Sequence, residues 1–382
     1  MRITNKIKDF ALAVLLVFSI GFVNANEKDQ QHVETIDQEL KSTDALGKKE
    51  FVVGDMIMHH IKDAHEWHLW GGEHDGTSIY LPIILIDGGL KTFSSSHFYH
   101  GEIKSAIDHK THEPIDYLVG VGPAEGYGMF HEKIFKLDAG EMHFEDGHAH
   151  NAKVLDFSMT KNVFSLLMAA FIMCLLMFST AKYYKSNGAV APKGLAKFVE
   201  PIIIFVRDDI AKASIGEHKY KRYMPYLLTI FFFIWISNLL GLIPILGANL
   251  TGNITVTFFL AVATLLVTVF SGNKNYWGHI FWMPGVPVPM KFFMMPIELI
   301  GVLTKPFALM VRLFANITAG HIIILALVSI IFINQSAAWG FLSVPMALFI
   351  MVLELLVAFL QAYLFAMLSA LFIGAAVEDA HH

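Results

Sequence analysis

The feature that most constrains the fold is a series of long apolar segments between Val163 and Ala376. A bilayer-spanning helix needs about 17 to 25 predominantly apolar residues, and these segments meet that length. The composition agrees, since 55% of the 382 residues are hydrophobic and only 16% are charged. This balance is typical of a polytopic membrane protein. The net charge of −5 and the lack of a basic tract predict no nucleic-acid partner.

The apolar segments predict an all-α membrane domain with about five transmembrane helices. The last two segments are too long to stand upright, because a helix of the length of the fourth would extend roughly 65 Å across a hydrocarbon core of about 30 Å. We expect a steep tilt, a kink at Pro296 and Pro306, or a break. The predicted segments are Val163–Thr180, Tyr226–Leu246, Ile254–Phe270, Lys291–Ile333 and Phe341–Ala376.

Lysines predict the orientation of these helices. The first segment is followed by Lys182, Lys185, Lys193 and Lys197, which the positive-inside rule places in the cytoplasm. The region before the first segment is then periplasmic, and the tail at residues 377–382 is cytoplasmic. Residues 195–215 alternate apolar patches with charges, which predicts a helix lying on the cytoplasmic surface.

The N-terminal part precedes the membrane domain, which we predict at residues 156–376. Residues 1–25 have a positive start, a short apolar core and a small-residue end, as expected for a secretory signal peptide. The competing interpretation is an uncleaved first transmembrane helix. Residues 26–155 predict a histidine-rich periplasmic domain with a disordered start and a small α+β fold. Within it, two runs around Asp87-Gly88-Gly89 predict a β-hairpin.

Histidines concentrate in this N-terminal part and raise the question of a metal site. No His-Glu-x-x-His motif is present, and the only cysteine, Cys174, lies in an apolar segment, so no intrachain disulfide is possible. We therefore expect solvated surface histidines and no metal ligand, with a weak zinc or copper site as the alternative. The two groups are His59, His60, His65, His68 and His74, and His143, His148 and His150.

Arg312 is the most costly residue of the apolar segments. A guanidinium stays protonated inside a protein, and holding it at bilayer depth costs at least about 2.5–3.5 kcal/mol. No acidic residue lies within ten positions on either side of it. An arginine that snorkels or pairs structurally is one interpretation. A fixed intramembrane charge used in moving ions is the other, and it agrees better with the distance of Arg312 from both segment ends.

Further polar residues accompany Arg312 on the last two segments. Asn316 shares a helix face with Arg312, and Glu298 falls roughly on the same face nearer the start. In an antiparallel helix pair, residues at equal depth have a nearly constant index sum. This places Gln361 near the depth of Arg312, and Glu354 near His321 at about 10–14 Å closer to the periplasm. His321 lies on the opposite side of an ideal helix from Arg312, so the His321/Glu354 pair requires curvature or a cavity around the helix. That pair can be a proton relay or a structural lock between helices.

Four motifs, which follow one another along the chain, resemble those of subunit a of the F-type ATP synthase. They are Asn238-Leu-Leu-Gly-Leu-Ile-Pro244, Asn253-Ile-Thr255, Arg312-Leu-Phe-Ala-Asn316 with Ala319-Gly320, and Leu360-Gln-Ala362. The resemblance extends over about residues 153–376. The resemblance implies a non-catalytic, proton-conducting stator subunit that needs no cofactor. Its implied partners are the rotating c-ring, the subunit b peripheral stalk and membrane lipid, and its implied location is the bacterial inner membrane.

The resemblance also implies roles for single residues. Arg312 matches the essential arginine that faces the c-ring carboxylates, and Glu298 matches the acidic residue of the cytoplasmic half-channel. Positions on the periplasmic path are matched by Asn316, His321, Glu354 and Gln361. His321 and Glu354 exchange residue types relative to one common form of the family, which favours a functional pair. Secondary channel-lining residues are Asn238, Asn253, Thr255 and Lys305.

Two other functions compete with this one. A secondary cation transporter with a periplasmic metal-binding domain predicts internal repeats, and we find none in the sequence. A membrane metalloenzyme built on the histidine groups requires a His-Glu-x-x-His motif or its equivalent on a helix, which the sequence lacks.

Overall fold

The computed structural model describes residues 63–70, 77–188, 190–243, 250–283, 285–334 and 336–378. The signal peptide predicted at 1–25, the disordered start of the N-terminal domain, the tail from residue 379 on, and His59, His60 and His74 lie outside the described residues. The described residues divide between two compact units, one within Lys62–Met168 and the other within Ala169–Leu242 and Asn249–His382.

The N-terminal unit is built almost entirely of short β-strands. The β part of the α+β expectation is confirmed, and the described residues before the first long helix contain only a four-residue helix, α1 (Ser96–Tyr99), and a 3-10 turn. Strands follow one another with few intervening residues. They are β1 (Glu66–Trp70), β2 (Thr77–Tyr80), β3 (Pro82–Ile86), β4 (Leu90–Ser94), β5 (Glu102–Ile107), β6 (Pro114–Val119), β7 (Tyr127–Phe130), β8 (Lys133–Lys136), β9 (Phe144–Glu145), β10 (His148–Ala149) and β11 (Leu155–Asp156).

The strands form a three-stranded sheet in the order β11-β3-β4, a four-stranded meander β5-β6-β7-β8, and the antiparallel pairs β1–β2 and β9–β10. The predicted hairpin around Gly88-Gly89 is confirmed, since β3 and β4 pair with Ile86 opposite Leu90. Alternate residues of β3 point inward, so Ile83 and Leu85 are fully buried and pack with Phe98 in the core of the unit.

Five helices of the described chain are long and apolar enough to cross a membrane, as the sequence predicts. Shorter helical pieces connect them. In chain order the helices are α2 (Lys161–Asn187), α3 (Leu195–Phe205), α4 (Ala213–Ile215), α5 (Tyr220–Gly241), α6 (Ile254–Ser271), α7 (Lys274–Phe281), α8 (Val288–Ile333) and α9 (Gly340–Val377).

Two of the sequence predictions on these helices can be compared with the structure, and one helix was not predicted. The segment 195–215 is helical, with a π-helical stretch Val206–Lys212 between α3 and α4. Helix α8 continues through Pro296 and Pro306, so a break is excluded. The sequence analysis missed α7, because its eight residues stand among glycines and prolines and carry no long apolar run. Its Trp277 is buried against Val269 of α6 and Val302 of α8.

Helices α8 and α9 form an antiparallel pair whose register is fixed at three levels. The Ser343 hydroxyl donates to the carbonyl oxygen of Leu327 near the connecting turn. His321 faces Glu354 in the middle, and the Lys305 ammonium lies 5.7 Å from the centre of the Phe372 ring further along. Between the last two levels, Arg312 and Gln361 stand within about one helical turn of equal depth.

The end of α9 is capped by side chains from two other segments. Lys219 Nζ donates to the carbonyl oxygen of Val377 at 2.6 Å, and Asn273 Nδ2 donates to the same oxygen at 2.9 Å. Carbonyl groups at a helix C-terminus have no hydrogen-bond partner within the helix, and a positive charge there interacts favourably with the helix dipole. These contacts fix the height of α9 within the bundle.

Candidate functional site

Arg312 lies on an exposed face of α8 that is lined by small side chains. Residues separated by three, four or seven positions share a helix face. At these spacings from Arg312, Lys305, Ala308, Ala315, Asn316 and Ala319 are exposed, and Leu309 is buried. Small residues allow another helix to approach closely within a membrane. The face is therefore suited to a partner helix and not only to lipid.

Within the described part of the chain, the Arg312 guanidinium has no ion pair and no hydrogen bond to another side chain. Gln361 lies at nearly the same depth but is buried on α9, whereas Arg312 is exposed. The two residues are near in depth, as the index sum predicts, but no hydrogen bond joins their side chains among the described residues.

The other predicted pair is brought together. His321 Nδ1 lies 3.9 Å from Glu354 Oε1, and both side chains are largely buried. The pair forms because His321 faces α9 at this level. Gly320 makes room for the carboxylate: a Cβ at this position would overlap Oε1 and lie 2.7 Å from Cδ of Glu354. The second oxygen, Glu354 Oε2, is buried without a hydrogen-bond partner among the described residues.

Asn238 connects α5 to α9 between the levels of Glu354 and Gln361. Its Nδ2 donates to the carbonyl oxygen of Ala358 at 3.2 Å, and its Oδ1 accepts from the Thr251 hydroxyl at 2.6 Å. Asn238, Thr251 and Gln361 are all at most 3% exposed. Buried amides need such partners, because an unpaired one costs about 1–3 kcal/mol. Asn238 therefore stabilises the packing of α5 against α9, and it is also a polar group beside the predicted proton path.

The remaining predicted residues are Asn253, Thr255, Lys305 and Glu298. Asn253 precedes α6 and accepts from the backbone N–H of Thr255 at 2.9 Å, so this motif is a helix N-cap. Lys305 is exposed seven positions before Arg312, and its ammonium lies 5.7 Å from the centre of the Phe372 ring of α9. Glu298 is half-buried near the start of α8.

Sequence reasoning missed a set of hydroxyl groups inside the bundle. Tyr226 of α5 and Thr264 of α6 lie 2.9 Å apart, and Thr264 lies 3.2 Å from Ser369 of α9. The hydrogen bond from the Thr251 hydroxyl to Asn238 was not predicted either. A single hydroxyl in an apolar segment gives no sequence signal, since it can bond to its own helix backbone.

In the N-terminal unit, the expectation of a solvated surface histidine is wrong for His65. Its side chain is almost fully buried, with Nδ1 3.3 Å from Glu132 Oε2 and Nε2 3.6 Å from Asp156 Oδ2. Burial alone would lower the pKa of His65, but its close contacts with the carboxylates of Asp156 and Glu132, and their negative charges, raise it to about 9. By contrast, His143, His148 and His150 are exposed as expected. The side chain of His68 is not among those that the structure describes.

Comparison with known proteins identifies the membrane unit. A family model described as ATP synthase A chain matches residues 163–374, which is more than half of the chain. This chain belongs to the ATP synthase A chain family. Arg312, His321, Glu354 and Gln361 all fall within the matched range.

Curated members of the family are similar over most of their own length. ATP synthase subunit a of Chloroherpeton thalassium is 47% identical over 255 residues, covering 64% of this chain and 76% of that protein. ATP synthase subunit a 2 of Chlorobaculum tepidum is 48% identical, over 59% of this chain and 66% of that protein. ATP synthase subunit a of an Anaeromyxobacter species is 45% identical, over 66% and 62% respectively.

The N-terminal unit matches a second family model. Residues 56–157 match a domain of unknown function, DUF8433. The match covers the β-strands and ends just before α2, so the family assignment of the membrane unit does not extend to this part.

Proposed function

We propose that this chain is the proton-conducting stator subunit, subunit a, of an F-type ATP synthase. It supplies two half-channels and a fixed positive charge, Arg312, that couple proton flow to rotation of a c-ring. Family membership and the five membrane-capable helices support the proposal. The role is non-catalytic and uses no cofactor, since the chemistry of ATP belongs to other subunits of such a complex.

The observation that carries the proposal is that Arg312, on an exposed face rich in small residues, has no ion pair among the described residues. A guanidinium at membrane depth is costly unless an opposite charge meets it. A partner helix carrying a carboxylate can approach this face closely. At an effective dielectric constant of about 20, unit charges about 4 Å apart attract by roughly 4 kcal/mol, which shifts a carboxylate pKa by two to three units. Arg312 therefore favours the ionised carboxylate as it passes and repels a proton that would leak directly across.

Protons enter from the periplasmic side in this scheme. Glu354 and His321, 3.9 Å apart, form a relay at the outer level. Gln361 and Asn238 continue the buried polar series toward the depth of Arg312, and Asn316 adjoins Arg312 on the c-ring face. After nearly a full turn of the ring, the proton leaves on the cytoplasmic side near Glu298.

The proposal places the chain in the bacterial inner membrane with a periplasmic N-terminal domain and a cytoplasmic C-terminus. The c-ring contacts the Arg312 face, and the subunit b stalk and lipid contact other surfaces. The helical segment 195–215 lies along the cytoplasmic surface, and α8 and α9 are tilted together. Removal of residues 1–25 and a domain border near residue 155 are part of the same proposal.

The test replaces Arg312 with alanine in the intact complex. We expect Arg312→Ala to abolish ATP-driven proton pumping in inverted vesicles, while the c-ring still co-purifies. Val311→Ala is the matched control, because Val311 is an exposed neighbour on the same helix turned about 100° from Arg312. Normal pumping by Arg312→Ala would refute the role of this arginine. Failure of the parent chain to co-purify with a c-ring would favour a transporter.

A further inference from the structure

The hairpin β9–β10 fixes a register that gathers histidines on one side. Its two-residue turn, Asp146-Gly147, has φ angles of 59° and 77°. Two positive φ values define the tight turn that suits antiparallel strands. Glu145 then stands opposite His148. The N–H of His150 donates to the carbonyl oxygen of His143 at 2.9 Å, so these two histidines are also a facing pair.

Alternate residues of a strand point to the same side, and facing residues share that side. His143, Glu145, His148 and His150 therefore occupy one face of the hairpin. Phe144 points the other way and is fully buried in a cluster with Tyr117 and Phe135. The buried Phe144 anchors the hairpin and turns the polar face to solvent, where the three histidines are exposed.

The side chains on this face already approach one another. His150 Nε2 lies 3.6 Å from Glu145 Oε2. The His109 ring stacks on that of His143 with centroids 6.5 Å apart, and the His109 N–H donates to the Phe144 carbonyl oxygen at 3.0 Å. A cation is also attracted here, because Lys110 Nζ lies 3.1 Å from Glu145 Oε1 although its side chain is 57% exposed.

We propose that this hairpin face binds a divalent transition-metal ion of the zinc or copper class through the imidazoles of His143 and His150. Neutral imidazole suits these ions, and facing residues of an antiparallel pair stand about 5.5 Å apart at Cα, so both rings can reach one ion. Glu145 and His109 are placed to complete the coordination. Nothing in this site depends on the proposed role of the membrane unit.

The described residues hold no group of three such side chains already gathered at metal-binding geometry. The ion must therefore draw exposed rotamers together and displace Lys110 from Glu145. This ordering has an entropic cost, so the affinity is lower than that of a structural zinc site with four fixed ligands. Metal ligands must be deprotonated, and acid should release the ion.

The test uses the full chain in detergent micelles and titrates Zn²⁺ alone against a chromophoric chelator. The key variant is His143→Asn with His150→Asn. The matched control is His218→Asn with His279→Asn, which removes two exposed histidines from the other unit. Because loss of a supporting partner alone weakens metal sites about 10–100-fold, loss of both ligands should weaken Zn²⁺ binding by at least about tenfold.

Electron paramagnetic resonance of the Cu²⁺-loaded chain gives a second readout. We expect pulsed spectra to show two or more coupled imidazoles in the parent and in the control, and fewer in the His143/His150 variant. Both positions are exposed, so the variant should keep the unfolding temperature of the metal-free parent. Equal Zn²⁺ affinity of variant and parent, or no imidazole coupling in the parent, would overturn the proposal.

Discussion

Gly320 offers the sharpest test of the α8–α9 contact. A Cβ at position 320 would overlap Glu354 Oε1 and lie 2.7 Å from Cδ and 2.9 Å from Cγ. Real side chains do not tolerate such separations, so Gly320→Ala must push the carboxylate by about 1 Å or separate the helices. Overpacking of this kind costs about 1–3 kcal/mol. Displacing a positioned group by about 1 Å can slow the step it serves by up to about 100-fold.

We expect Gly320→Ala to lower ATP-driven proton pumping at least about tenfold in assembled complexes. The matched control is Gly301→Ala on the same helix, where an added Cβ meets no atom within 4 Å. Helix propensity alone favours alanine over glycine at both positions by up to about 1 kcal/mol. A loss confined to position 320 therefore reports the clash with Glu354 and not a change in helix stability.

A second substitution separates the clash from other effects. Glu354→Asp shortens the side chain by one methylene and withdraws the carboxylate from the added Cβ. The double variant should pump faster than Gly320→Ala alone, measured by acidification of inverted vesicles after immunoblotting for equal assembly. The reasoning fails if Gly320→Ala pumps at the parent rate, or if Glu354→Asp gives no recovery in the Gly320→Ala background.

Two further predictions concern stability. Because the pKa of His65 is raised to about 9 by Glu132 and Asp156, its ion pairs contribute up to about 3 kcal/mol that is fully present below pH 6.5 and lost as pH rises through 9. Hydrogen exchange in the N-terminal unit, corrected for intrinsic rates, should quicken between pH 7 and 9.5, and His65→Gln should remove most of that dependence; a parent that is equally protected at both pH values would contradict the ion-pair account. Asn273→Ala removes one of the two side-chain donors to Val377 and should destabilise the end of α9 by about 1 kcal/mol, seen as a lower unfolding temperature in micelles, whereas an unchanged temperature would show that Lys219 caps the helix by itself.

The membrane helices illustrate how far sequence patterns reach. A long apolar run predicts a helix whatever its neighbours are, because backbone groups in lipid must bond within the helix. The five long apolar helices were predictable for this reason, and so was the proximity of His321 and Glu354, since an antiparallel pair fixes residue depth. The index sum carries no information on rotation about the helix axis. It therefore places Arg312 and Gln361 at similar depth but does not show that Arg312 is exposed while Gln361 is buried.

The N-terminal unit illustrates the opposite case. Two β-runs and a glycine turn predicted one hairpin, but not the order of the strands in the sheets. His65 looked like any other histidine of its group, and its burial depends on Glu132 and Asp156, which are 67 and 91 positions away in the chain. The residues adjacent to His65 in the sequence give no sign of these contacts with distant carboxylates.

The sequence by itself determined the apolar helices, their number and the identity of the costly charge at position 312, because each follows from local composition and spacing. Only the tertiary structure decided which of these groups meet. It turned Arg312 outward along an exposed face of small residues, seated Glu354 against Gly320, and tied Asn238 to Ala358 and Thr251. The physical reason is that a side chain's partner is set by the rotation and depth of two packed helices, which depend on residues far apart in the chain.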